Sequence, residues 1–199
     1  MILTKKNVSN EKVYVFLIDE NLEPCIERAK SIIDNLKKTN DTNTREISNS
    51  LLLNPELKDL HSWFQECINF AIKDLGFEKQ ELEITHSWGN KFDKLKYSQR
   101  HTDKNSLITG IFALSDASNK NIFLRYDRSV WYKMILSHGN AWSWYTGLGY
   151  GQLILFPSSV AHGTTPGGES EELYTISFNT FLKDFSKQNL NYKRMEASI

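Results

Sequence analysis

The sequence predicts a mainly β domain with two helices packed outside a small antiparallel sandwich. Three observations lead there. From about Glu81 onward, short apolar or alternating segments recur, divided by turn residues, which is the patterning of a sandwich or barrel. Before that point, two longer stretches carry the apolar spacing of amphipathic helices. The aromatic share is 12%, with five Trp, eight Tyr and eleven Phe, and such residues suit sheets and ligand pockets better than helical bundles. At 199 residues, 40% of them apolar, the chain supports one packed core. The expected division is a helical N-terminal support over about 1–80, a β core over about 81–182 and a polar tail over 183–199.

The elements follow in order. Lys12–Asp19 (KVYVFLID) is β-branched and aromatic and reads as a first strand. Leu22–Lys38 carries Ile26, Ala29, Ile32, Ile33 and Leu36 at helical spacing, and the Asn- and Thr-rich Thr39–Asn49 reads as loop. Pro55–Leu75 reads as a second helix, with Pro55 in its first turn. Leu60, Trp63, Phe64, Cys67, Ile68 and Ala71 form its buried stripe, and Gly76 is its stop. The expected later strands are Leu82–Trp88, Leu95–His101, Leu107–Leu114, Asn121–Tyr126, Tyr132–Ser137, Gly151–Phe156 and Leu173–Phe181. Trp131–Tyr150 interleaves Trp and Tyr with Gly139, Gly147 and Gly149, and reads either as a long loop able to close over a site or as an extra hairpin packing its aromatics on the sheet.

Charge narrows the partners. Lys and Arg total 24 and Asp and Glu total 24, so nothing favours nucleic acid or an anionic membrane. No apolar run approaches the roughly 20 residues that span a bilayer. Met1–Asn10 is polar and lysine-bearing, without an apolar stretch of signal-peptide length. Cys25 and Cys67 both fall in expected helices and cannot make a disulfide scaffold, so a cytoplasmic setting is expected.

Two motifs carry chemistry. In His101-Thr102-Asp103 the side chains two apart on an extended chain point the same way, so His101 and Asp103 converge without a special loop. Tyr97 and Gln99 extend the same row. The tripeptide alone arises often by chance, and taken by itself it reads better as a surface histidine beside an aspartate in a turn. The second motif is Gly151–His162 (GQLILFPSSVAH), a buried strand that ends at Pro157 and delivers His162. The chain between Asp103 and His162 has room for several strands before it returns. Two histidines and one carboxylate on one face of a metal leave the opposite positions open, which is the arrangement of non-heme Fe(II) oxygenases.

The succession H-x-D, strands, G-x-L-x-L-F-P-S-x-x-x-H, a short loop and Ile176-Ser177-Phe178-Asn179 resembles the Fe(II)/2-oxoglutarate-dependent oxygenases over roughly Leu95–Phe181. It is closest to their small members in bacteria and phages, and more distantly similar to prolyl hydroxylases. The resemblance implies a double-stranded β-helix (jelly roll, cupin-like) core, with Fe(II) held by His101, Asp103 and His162. It also implies O₂ and 2-oxoglutarate as cosubstrates, and hydroxylation of a peptide side chain or small molecule with release of succinate and CO₂. In this family a basic residue on the last strand grips the far carboxylate of 2-oxoglutarate, and here that position is Leu173, which has no such donors. Thr175 holds the hydroxyl position two residues later. Arg125 is the expected replacement anchor, with Tyr97, Gln99 and Thr175 assisting, unless it faces solvent on an edge strand, and Trp142, Trp144 and His86 are the expected substrate contacts. The missing arginine leaves two alternatives open: a cupin-like metalloenzyme that does not use 2-oxoglutarate, and a non-catalytic jelly-roll binding module.

Overall fold

A computed structural model describes residues 2–8, 11–39, 50–77, 79–92, 99–125, 143–164 and 172–183. The chain opens with a hairpin of β1 (Ile2–Val8) and β2 (Glu11–Leu17). A 3₁₀ turn at Glu20–Leu22 leads into α1 (Glu23–Thr39). Two further 3₁₀ turns, Leu51–Leu53 and Pro55–Leu57, lead into α2 (Lys58–Asp74). Then come β3 (Leu82–Phe92), β4 (Ile108–Ala113), β5 (Ala117–Arg125), β6 (Ser143–Leu148), β7 (Gln152–Pro157), β8 (Ala161–Thr164) and β9 (Leu173–Leu182).

These strands form two antiparallel sheets, a six-stranded one in the order β1-β2-β7-β4-β9-β3 and a three-stranded one in the order β6-β5-β8. The chain passes from the larger sheet at β4 to the smaller at β5 and β6, back at β7, across again at β8 and back at β9. That alternation is the double-stranded β-helix, with the helices on the outer face of the larger sheet.

Strand periodicity decides which residue goes where. On β7, Leu153 and Leu155 pack with the helices while Ile154 and Phe156 belong to a second apolar cluster with Ile111, Ala113 and Leu148. On β9, Tyr174, Ile176 and Phe178 face the helices. The α2 stripe expected from sequence is buried in full, joined by Ile72. Phe64 stacks on Phe178 with ring centroids 5.0 Å apart and meets Phe112 edge-on at 5.1 Å. Gly110 makes room for this stack, since a Cβ there would lie 2.1 Å from Phe178 Cζ. Gly76 has φ +83°, the left-handed conformation that stops a helix.

Polar ties hold the helices in place. Lys91 Nζ reaches Asp34 Oδ1 at 3.0 Å, and the Tyr174 hydroxyl donates to the same carboxylate at 2.9 Å, which joins α1 to β3 and β9. The Tyr14 hydroxyl donates to Asp74 Oδ2 at 2.9 Å at the end of α2. Cys25 and Cys67 are both free and buried, and burial pushes the Cys67 thiol up to about 12. Among the described residues no helix is long and apolar enough to cross a membrane.

Several expectations change. β1 is an added edge strand in a segment whose polar character hid it. β3 runs on to Phe92, past the expected end at Trp88. Gln99 and Arg100 are not strand, and His101 makes only a single bridge, to His162, where a strand Leu95–His101 is expected. Part of the expected long loop, Ser143–Leu148, is β6, paired with β5 through Gly147 and Trp144. Its glycine sits in a ladder, so composition alone mistakes a strand for a hinge. The expected strand Tyr132–Ser137, Tyr97, Trp142 and most of the C-terminal tail lie outside the described residues.

Candidate metal centre

The centre is assembled by backbone pairing before any side chain is considered. His101 N donates to His162 O at 3.0 Å and His162 N donates to His101 O at 2.8 Å. This doubly bonded antiparallel pair puts the two imidazoles on the same side, with ring centroids 4.3 Å apart. Asp103 N donates to Ser158 O at 3.2 Å, so the turn after Phe156-Pro157 fixes the carboxylate-bearing segment. Asn105, at φ 57°, adopts the left-handed conformation that Asn tolerates and turns the chain toward β4.

The side chains then converge. His101 Nε2 lies 3.7 Å from Asp103 Oδ1, and His162 Nε2 lies 3.7 Å from Asp103 Oδ2. The three ligand atoms lie within 4.8 Å of one another. A metal with bonds of roughly 2.0–2.2 Å wants such atoms about 3 Å apart, so closure by about 1–2 Å would fill the site.

Protonation states agree with that use. His101 Nδ1 lies 2.8 Å from Gln99 O, and His162 Nδ1 lies 3.0 Å from Val160 O. A carbonyl only accepts, so each Nδ1 carries its hydrogen and each Nε2 presents a lone pair to the centre. Burial lowers the His162 pKa; Asp103 opposes this and His101 adds to it. The balance favours the neutral imidazole that binds metals.

Asp103 is oriented in turn. Its Oδ2 accepts from Thr109 Oγ1 at 2.6 Å. With its amide nitrogen facing the carboxylate, Asn179 donates to the same oxygen at 3.0 Å and to Thr109 Oγ1 at 3.2 Å. Ser158 Oγ, fully buried, lies 2.9 Å from Thr109 Oγ1 and 2.7 Å from Ser106 Oγ. Two neutral imidazoles and one anchored carboxylate suit a divalent transition metal, and the residues present fit Fe(II).

Beside the centre is a cavity of about 290 Å³ whose walls include Trp88, Asn90, Phe92, Thr109, Thr175 and Ser177. That is near the lower end of small-molecule sites. His101 forms its exposed lip, with 43% of its side chain accessible, while His162 and Asp103 are at 4% and 8%.

The structure thus brings His101, Asp103 and His162 together. Gln99 lines the cavity, and its carbonyl holds the His101 ring. Thr175 is buried in the cavity wall. For Arg125 the register alone is described: it stands opposite Ala161, and Leu124 is the residue opposite His162. Trp144 stands opposite Leu124 on the other side, in the same cross-strand row as His162. His86 stands midway along β3, paired with Asn179, and is not one of the lining residues. Sequence reasoning missed Thr109, Asn179, Ser158, Asn90 and Ser177. Alternation from Thr175 leads to Ser177 and Asn179, and alternation from Trp88 leads to Asn90, once the strands are extended to their true ends.

Residues 86–179 match the family model described as "Putative 2OG-Fe(II) oxygenase". No curated protein sequence matches the chain. Among solved structures, HygX from Streptomyces hygroscopicus with nickel and 2-oxoglutarate bound is similar at TM-score 0.59, with 11% identity, over 84% of this chain and 81% of that one. The nickel complex of the non-heme monooxygenase ThoJ is similar at TM-score 0.60 and 10% identity, over 83% of this chain and 70% of that one. SnoN, a non-heme α-ketoglutarate-dependent epimerase from nogalamycin biosynthesis, is similar at 0.60 and 10%, over 85% and 77%. At these identities the likeness is one of fold, the jelly roll with its flanking helices.

Proposed function

We propose that this chain, which belongs through residues 86–179 to the 2OG-Fe(II) oxygenases and so to the iron- and 2-oxoglutarate-dependent oxidoreductases, holds its iron with His101 Nε2, His162 Nε2 and the Asp103 carboxylate. The observation that carries the assignment is the pair of imidazoles locked by their Nδ1 hydrogens on Gln99 O and Val160 O, with both Nε2 atoms aimed at one buried carboxylate. When bound, Fe(II) with 2-oxoglutarate and O₂ supplies the oxidising chemistry: the 2-oxo acid becomes succinate and CO₂, and a C–H bond of the substrate is hydroxylated.

The chain's own residues bind and orient. Thr109 and Asn179 hold the Asp103 carboxylate to one rotamer, so both its oxygens stay on the histidine side. Trp88 and Phe92 give the cavity apolar wall, which keeps water from a reacting centre. The exposed lip at His101 is the way in for the substrate, a small molecule or a peptide side chain. Such a site is prepared for one face of a ligand set, and the opposite face is left to the cosubstrates.

The test is an anaerobic Fe(II) titration combined with a succinate assay. Wild-type protein should bind one iron and release succinate from 2-oxoglutarate, and Asp103→Ala should lose most of the iron while keeping a cooperative unfolding transition. Full iron occupancy in Asp103→Ala would remove the assignment.

A further inference from the structure

Between Trp88 and Phe92, the wall that β3 and β9 give the cavity carries a buried polar patch without a positive charge among its described residues. Asn90, Thr175 and Ser177 are 7%, 1% and 6% exposed. All three line the same cavity as His101 and His162. Thr175 and Ser177 sit two apart on β9, on one face, and Asn90 lies across the ladder, opposite Thr175. Position 173, where the family's basic residue is expected, is a buried Leu packed on Phe92.

The hydrogen bonds in this wall have a direction. Asn90 Nδ2 donates to Thr175 Oγ1 at 3.2 Å and to Ser177 Oγ at 3.2 Å. An amide NH₂ has two hydrogens, and both are used. Each hydroxyl oxygen is therefore an acceptor toward Asn90 and has its own hydrogen left to give. Neither hydroxyl has an acceptor among the described residues. A buried donor without an acceptor costs free energy, so this pair is poised for a ligand that accepts two hydrogen bonds. A carboxylate is such a ligand, since it is acceptor-only with two oxygens.

We propose that Thr175 and Ser177, directed by Asn90, form a neutral two-hydroxyl fork that receives the far carboxylate of a 2-oxo dicarboxylic acid. The inference rests on the metal-centre reading above and adds the residues that select the cosubstrate. Thr175 and Ser177 touch the ligand, and Asn90 is a positioning residue that acts through them. Arg100 is the one basic side chain lining the cavity among the described residues. It belongs to the exposed segment next to His101, outside β3 and β9.

The experiment is equilibrium binding to the nickel-loaded protein, followed by calorimetry without oxygen or turnover. The probes are 2-oxoglutarate and 2-oxopentanoate, which has the same chain length and no far carboxylate. Wild-type protein should prefer 2-oxoglutarate. Thr175→Val and Ser177→Ala should each weaken it about ten- to a hundredfold, the range for losing a hydrogen bond to a charged group. Neither should change 2-oxopentanoate or nickel affinity, and Thr175→Ser should restore binding. Asn90→Asp should abolish 2-oxoglutarate binding, because a carboxylate at that position draws both hydroxyl hydrogens toward itself. Should Asn90→Asp fail to fold, the near-isosteric Thr175→Val decides alone. Fork variants that bind 2-oxoglutarate like wild type overturn the proposal and leave the iron site standing, as does a loss confined to Arg100→Gln. Wild-type protein that takes up nickel at another site, with Asp103→Ala unchanged, overturns the metal-centre reading instead.

Discussion

Thr109→Val isolates the support of the metal centre from the centre itself. Thr109 is 1% exposed, and its hydroxyl lies 2.6 Å from Asp103 Oδ2. Valine keeps the shape and removes the donor. A hydrogen bond to a charged group contributes about 1.5–3 kcal/mol, and at about 1.4 kcal/mol per decade that is roughly a 10- to 150-fold loss of metal affinity. Loss of a group that orients a metal ligand typically costs about 10- to 100-fold, so two independent estimates meet. Asn179 remains as a second donor to the same oxygen at 3.0 Å, which places the expectation at the lower end. The assay is anaerobic competition for Fe(II) against a chelator of known affinity, with Thr109→Ser as the control that keeps the hydroxyl. Iron binding by Thr109→Val as tight as wild type would refute the claim that this hydroxyl orients the ligand.

Other expectations follow from the same structure. Gly110→Ala puts a Cβ 2.1 Å from Phe178 Cζ and should cost about 1–3 kcal/mol as overpacking, read by urea denaturation, with Phe178→Leu in the same chain recovering part of the loss. The hydroxyls of Tyr14 and Tyr174 have pKa values raised first by burial; for Lys91 burial works the other way and its hydrogen bonds to Tyr174, Asp34 and Glu172 prevail, raising it. Groups with raised values hold their protons more tightly in the folded chain, so their contribution is complete below about pH 10 and is lost as pH rises through the folded values. The melting temperature should therefore fall across that alkaline range, and fall less steeply in Tyr14→Phe. Trp144→Ala should reduce substrate hydroxylation relative to succinate release and leave iron binding intact, because Trp144 shares a cross-strand row with His162; equal loss of both products would assign it to packing alone.

The parts of the fold legible in the sequence are those with a strong period. The α2 stripe from Leu60 to Ala71 and the apolar run Leu153–Phe156 leave little choice of structure, and both are buried as expected. The candidate ligands, which the structure brings together, stand out in the sequence because His101 and Asp103 are close along the chain and His162 follows a strand with a clear end at Pro157. β6 was not legible, because Trp144 and Gly147 are read as loop by composition and only pairing with β5 makes them strand. The polar wall was hidden for a different reason. Asn90, Thr109, Ser177 and Asn179 are ordinary polar residues, and nothing local marks them as buried. Their role depends on which face of the strand they occupy, and that depends on partners far along the chain.

Strand register is the link between the core and the chemistry. On β9 the residues Tyr174, Ile176 and Phe178 pack against the helices, and the residues between them and beyond, Thr175, Ser177 and Asn179, belong to the site. In the ladder between β4 and β9, Gly110 pairs with Phe178 and Thr109 pairs with Asn179. The contact that lets Phe178 stack on Phe64 is therefore one residue away from the pair that holds Asp103. A slip of one residue would turn Phe178 into the cavity and Asn179 into the apolar layer, exchanging every side chain between faces. Burying Asn179 there without a partner would be costly, and exposing Phe178 would forfeit most of its packing with Phe64. The apolar layer thus selects a single register, and that register brings the carboxylate's two donors together. The helices, which contribute no residue to the proposed metal centre, act on it through the strand they clamp.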